Sequence, residues 1–105
     1  MDKTQNKRIF ERVVINSDRI YDLSEGGVYI KTKEPKRLGA LVGVEMKLFE
    51  REDPVCAKGK IIRIIYERGG LKRFPPGMAI QFTSIDEKER EKIRLYISSR
   101  KSGRI

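Results

Sequence analysis

Apolar positions along this chain recur with two different periods. From Val13 to Thr83 they alternate with polar positions in short runs broken by glycine, proline and charge, which is the spacing of strands with one buried face. Gly27 to Thr32 puts Val28, Ile30 and Thr32 on one face and Tyr29 and Lys31 on the other, and Lys33-Glu34-Pro35-Lys36 ends that strand. Val42, Val44, Met46 and Leu48 form a second apolar face, with Gly43, Glu45 and Lys47 turned to solvent. From Val55 to Glu67 the parity slips from Ala57, Gly59 and Ile61 to Ile62, Ile64 and Tyr66, which predicts a β-bulge near Ile61-Ile62. Cys56, between Val55 and Ala57, reads as a small buried hydrophobe rather than a reactive thiol. Paired glycines and paired prolines make Arg68 to Gly77 an exposed loop, and Met78, Ile80 and Phe82 mark the last strand. The period then changes: Asp86 with Glu89 fits a capping box, and Ile93, Tyr96 and Ile97 share one face of a helix. Five or six short antiparallel strands and one C-terminal helix predict an all-β domain, a small closed or nearly closed barrel.

Composition narrows the function. A chain of 105 residues holds one domain. Its 24 basic and 15 acidic residues give a formal net charge of +9, so an anionic partner is expected. Residues 31–37 carry four bases against one acid and residues 58–73 six against one, although solvated strand faces account for most such lysines. The absence of histidine removes histidine metal sites and histidine acid/base catalysis, and no nucleophile–base pair can be assembled, so no enzyme, catalytic residue, metal or cofactor is expected. A lone cysteine, a charged amino terminus and no apolar run of roughly 20 residues predict a cytoplasmic protein without membrane insertion.

Two short motifs say more. Arg8-Ile9-Phe10-Glu11-Arg12 carries two arginines four positions apart, ahead of the barrel, and Asp22-Leu23-Ser24-Glu25-Gly26-Gly27 follows. Together they resemble the PilZ domain family, whose signature is Arg-x-x-x-Arg followed by Asp/Asn-x-Ser-x-x-Gly; Arg8, Arg12, Asp22, Ser24 and Gly27 match it. The resemblance spans residues 7–98 and implies a six-stranded antiparallel split β-barrel that binds cyclic di-guanosine monophosphate (cyclic di-GMP). It divides the chain into a flexible ligand-binding segment, residues 1–12, the barrel with its helix, residues 13–100, and a frayed tail, residues 101–105. Arg12 and Asp22 are only ten positions apart, shorter than the family pattern, so the first strand is expected to be truncated to Val13-Val14-Ile15. Either the barrel is then open at that edge or the arginine segment is tightly tethered.

The residue chemistry suits such a ligand. Guanidinium groups fork onto phosphate oxygens and onto guanine O6 and N7, which gives Arg8 and Arg12 their expected role. Asp22 can accept from guanine N1 and N2, Ser24 offers a hydroxyl, and Gly26 and Gly27 permit close backbone approach and positive φ. Each has a plainer alternative: the arginines could solvate a helix, and Asp22, Ser24 and Gly27 could form only a turn. Phe10 reads as a hydrophobic anchor rather than a stacking platform. Lys7 could face a second, stacked ligand molecule or be one more solvated lysine. The function implied is a receptor whose changed surface regulates a downstream protein in motility, biofilm or exopolysaccharide output. The alternative is an adaptor of the same fold that acts by protein contacts without nucleotide. Single-stranded RNA binding is disfavoured, because Tyr29 and Phe49 are too sparse for a stacking platform.

Overall fold

The computed structural model describes residues 10–66 and 75–102, with side chains as far as Arg100. Along the chain run β1 (Glu11–Asn16), a 3-10 turn (Ser17–Arg19), β2 (Ile20–Ser24), β3 (Gly27–Lys31), β4 (Leu41–Lys47), β5 (Val55–Ile65), β6 (Gly77–Ser84) and helix α1 (Glu87–Ser102). The expected loop from Arg68 lies outside the described residues as far as position 74, and Gly77 already belongs to β6.

The strands form one sheet in the order β1-β4-β5-β6-β3-β2. Five neighbouring pairs meet in it, and four are antiparallel; β1 runs parallel to β4. The expectation of a wholly antiparallel barrel is therefore corrected to a mixed sheet. The cause is the corner at Ser17–Arg19. Successive antiparallel steps from β2 through β3, β6 and β5 give β4 the same sense as β2. β1 also has that sense, so the chain turns from one strand to the next without reversing.

That corner also forces curvature. β1 and β2 occupy opposite edges, which in a flat sheet of six strands would be five spacings of about 4.8 Å apart, roughly 24 Å. The path from Asn16 to Ile20 can span at most about 14 Å. The sheet curls accordingly into a half-barrel, open between the two edges. Bulges supply the bend: Ile62 is the extra residue between the Ile61–Ile80 and Arg63–Ala79 pairs, Thr83 between Lys58–Ser84 and Gly59–Phe82, and Tyr21 between Ile20–Ile30 and Asp22–Tyr29. The first of these is the bulge that the parity slip predicts.

The concave face is the core. Val13 and Ile15, Val28 and Ile30, Val42, Val44 and Met46, Val55 and Ile61, and Met78 and Ile80 all point into it and are buried. Ile93 and Tyr96 of α1 fill its mouth, and α1 packs against β2 and β5. Glu89 departs from the capping-box expectation: its carboxylate accepts from the Cys56 backbone N–H at 2.8 Å, which tethers the helix to the start of β5. Cys56 itself is exposed, a correction with a simple cause. With Val55 and Ala57 buried, alternation turns the residue between them outward. No helix of the described residues is long and apolar enough to cross a membrane.

Candidate functional site

Strand register brings the end of β1 near the second motif by an indirect route. Arg12 lies opposite Gly43, Gly43 opposite Lys58, and Lys58 opposite Ser84, so a single row crosses four strands. Cross-strand partners share a face, and here it is the convex, solvent side. One strand further, Phe82 donates its backbone N–H to the Gly26 carbonyl at 2.9 Å, which ties the Ser24–Gly27 turn to the same end of the sheet. Arg12 on one edge strand and the Ser24–Gly27 turn that follows the other thus flank one strip of surface.

A concavity of about 580 Å³ lies along the row, bordered by Phe10, Arg12, Glu45, Lys58, Ser84 and Asp86. A smaller hollow of about 240 Å³ continues from it, sharing Ser84 and Ile85 and reaching Gly26 and Arg90. Slightly larger than the first of these, a hollow of about 620 Å³ sits at the opposite end of β3 among Arg19, Lys31, Lys33 and Pro76, and none of the described motif residues lines it.

Arg12 belongs to β1 rather than to a segment ahead of the barrel, because the strand begins at Glu11. Its guanidinium forks onto Glu45 of β4, Nε donating to Oε2 at 3.0 Å and Nη2 to Oε1 at 3.2 Å. This hydrogen-bonded pairing, with the attraction of the carboxylate, raises the Arg12 pKa further, so the group is cationic at any working pH. The pair is open to water on the arginine side, with 71% of that side chain exposed against 29% for Glu45, so salt and a competing anion can reach it. Phe10 lies over Gly43, and the Lys58 ammonium sits 5.1 Å from its ring centroid.

The second motif is built as strand plus turn. Asp22 is exposed on β2, opposite Tyr29, and borders neither of the two joined hollows. Ser24 closes β2, and its Oγ accepts from the Gly26 N–H at 3.2 Å. Positive φ is absent from both turn glycines, the described instance being Gly39, so the expectation of left-handed backbone here is corrected. Gly27 is required for a different reason: a Cβ there would stand 2.5 Å from the Ile80 carbonyl oxygen of β6. At Gly26 the nearest atom would be Ser24 Oγ at 4.0 Å, which leaves that position open to solvent or to a ligand. Lys7 and Arg8 lie outside the described residues.

Two contributors escape a reading of the sequence. Lys58 and Ser84 join Arg12 only through pairings between segments far apart in the chain; alternation turns Lys58 outward but does not reveal which strands flank it. Tyr29 and Phe49, weighed above as stacking platforms, are engaged internally. Tyr29 donates its hydroxyl to the Pro75 carbonyl at 2.6 Å, and Phe49 packs edge-on against Tyr96. On the far side of the turn, Arg94 of α1 binds Glu25 at 3.0 Å, Glu87 at 3.0 Å, and Glu91, so the motif loop is clasped to the helix.

Comparison with curated proteins returns no significant match. The family model of the PilZ domain matches residues 5–99, which takes in both motifs, the whole half-barrel and nearly all of α1. This chain belongs to the PilZ domain family.

Proposed function

We propose that this chain is a non-catalytic receptor for cyclic di-GMP, and that the ligand lies on the convex face along the strip from Arg12 through Lys58 and Ser84 to the Ser24–Gly27 turn. The observation that carries the reading is that strip: Arg12 and the turn sit on opposite edge strands, yet the pairings Arg12–Gly43–Lys58–Ser84 and the Phe82–Gly26 hydrogen bond put them at one end of one face. A dinucleotide with two phosphates and two guanines needs charge-assisted forks at separated points, and Arg12 and Lys58 offer cations beside an open glycine turn. In this reading Arg8 closes over the ligand from the segment preceding Phe10, and Asp22 receives guanine N–H groups. Binding reorders that segment across the barrel and changes the surface offered to a downstream protein.

The pairing of Arg12 with Glu45 favours a second reading, an adaptor of the same fold in which that arginine is structural. Thermal unfolding separates the two. At a hundred times its dissociation constant, a ligand that binds only the folded state adds about 2.7 kcal/mol, which for a domain of this size raises the melting temperature by roughly 10 °C or more. An unchanged melting temperature at millimolar cyclic di-GMP would favour the adaptor.

A further inference from the structure

Four positions before Arg94 on α1, Arg90 borders the smaller hollow together with Gly26, Thr83, Ser84 and Ile85. The two arginines differ in what they hold. Arg94 occupies the carboxylates of Glu25, Glu87 and Glu91. Arg90 has only a loose approach to Glu87, at 3.9 Å, and its Nε is buried without a hydrogen-bond partner. Glu25 also borders the hollow, and its carboxylate is engaged by Arg94, which it shares with Glu87 and Glu91. The more loosely paired guanidinium there is therefore that of Arg90, beside a turn whose Gly26 leaves open space. Because the hollow shares Ser84 and Ile85 with the concavity bordered by Arg12, the two guanidinium groups stand at opposite ends of one continuous strip.

Resting on the receptor reading above, we infer that Arg90 is a further ligand-binding residue, which takes a phosphodiester oxygen of the cyclic dinucleotide at the Gly26 end of the strip while Arg12 holds the other end. An anion there meets the terminal nitrogens of the partly exposed Arg90 guanidinium, a fork-shaped donor that lysine cannot reproduce. The arginine comes from the helix, not from either motif. It couples ligand occupancy directly to α1.

Calorimetric titration with cyclic di-GMP of the wild-type chain, Arg90→Ala, Arg90→Lys and the charge-matched control Lys88→Ala tests this. The expected result is binding weakened tenfold or more in Arg90→Ala, weakened less in Arg90→Lys, and unchanged in Lys88→Ala, with all four melting at similar temperatures. If Arg90→Ala also melts lower, Arg90→Lys decides, because it keeps the charge and the packed stem but loses the fork; wild-type affinity in Arg90→Lys overturns the inference. Binding by Arg90→Ala within twofold of wild type overturns it and leaves the receptor reading standing. No binding by the wild-type chain overturns the receptor reading, and this inference with it.

Discussion

Arg12 is where the chemistry of the strip is most exposed to test. In the free protein the Nε–Nη2 edge of its guanidinium is taken by Glu45, so a ligand phosphate either competes with that carboxylate or takes the remaining donors beside its negative charge. Glu45→Gln removes the competing charge and keeps the shape; cyclic di-GMP affinity should rise severalfold, and an unchanged or lower affinity would mean that Arg12 does not leave Glu45 on binding. Arg12→Ala should abolish measurable binding with little change in the melting temperature of the free protein, since the pair is largely solvated on the arginine side. Cys56 makes a different prediction. Desolvation raises its thiol pKa, and the carboxylates of Glu45 and Glu89 push the same way against Lys92. A raised pKa means less thiolate at a given pH, so the alkylation rate of the folded chain should reach half its maximum at a higher pH than that of the urea-unfolded chain. Its outward position could have been read from alternation with Val55 and Ala57; the apolar character of the neighbours suggested burial, and the strand period decided otherwise.

Elements with a clean two-residue period were legible in the sequence, and those fixed by distant partners were not. Val42, Val44, Met46 and Leu48 are buried as alternation predicts, as are Val28, Ile30, Met78 and Ile80. The limits of β1 were not legible. Glu11 and Arg12 lack strand-forming side chains, yet both are drawn into the strand by pairing with Val42 and Gly43, some 30 positions away. Glu89 shows the same limit in reverse, for a local capping pattern yields to a tertiary bond with Cys56. The second motif was legible as residues but not as mechanics, because only the register of β3 on β6 shows what its glycines do. Gly27→Ala should therefore destabilise the fold by about 1–3 kcal/mol in chemical denaturation, with the Ile80 carbonyl in the way of the new methyl group. Gly26→Ala should leave folding nearly unchanged, and any loss it causes should appear in ligand binding. Equal destabilisation by the two substitutions would contradict this division of roles.

Across the whole molecule, the tight corner at Ser17–Arg19 sets the geometry. It joins two strands of the same sense on opposite edges, which imposes both the parallel β1–β4 pairing and the curl of the sheet. The short spacing between Arg12 and Asp22 left two readings, an open edge or a tight tether, both built on a first strand cut to three residues; β1 instead runs six residues from Glu11 to Asn16, and the half-barrel is open between its edges because the corner is short. The order of the strands was beyond reach, since no local pattern encodes which segments pair. The same curl bends a convex face on which Arg12, Lys58, Ser84 and the Gly26 turn follow one another, and α1 is bound to the end of that face through Arg94 and Glu25. A ligand settling on the strip would meet sheet, turn and helix together, which is what a receptor requires if occupancy is to be visible from outside. The most direct measurement is calorimetric titration of the purified chain with cyclic di-GMP beside the Arg8→Ala, Arg12→Ala double variant. Saturable binding on the order of micromolar, about −8 kcal/mol, lost in the variant, is the predicted result, with the ligand count deciding whether Lys7 faces a second molecule. A folded wild-type chain that gives no heat at high ligand concentration, or a double variant that binds as tightly as wild type, would contradict it.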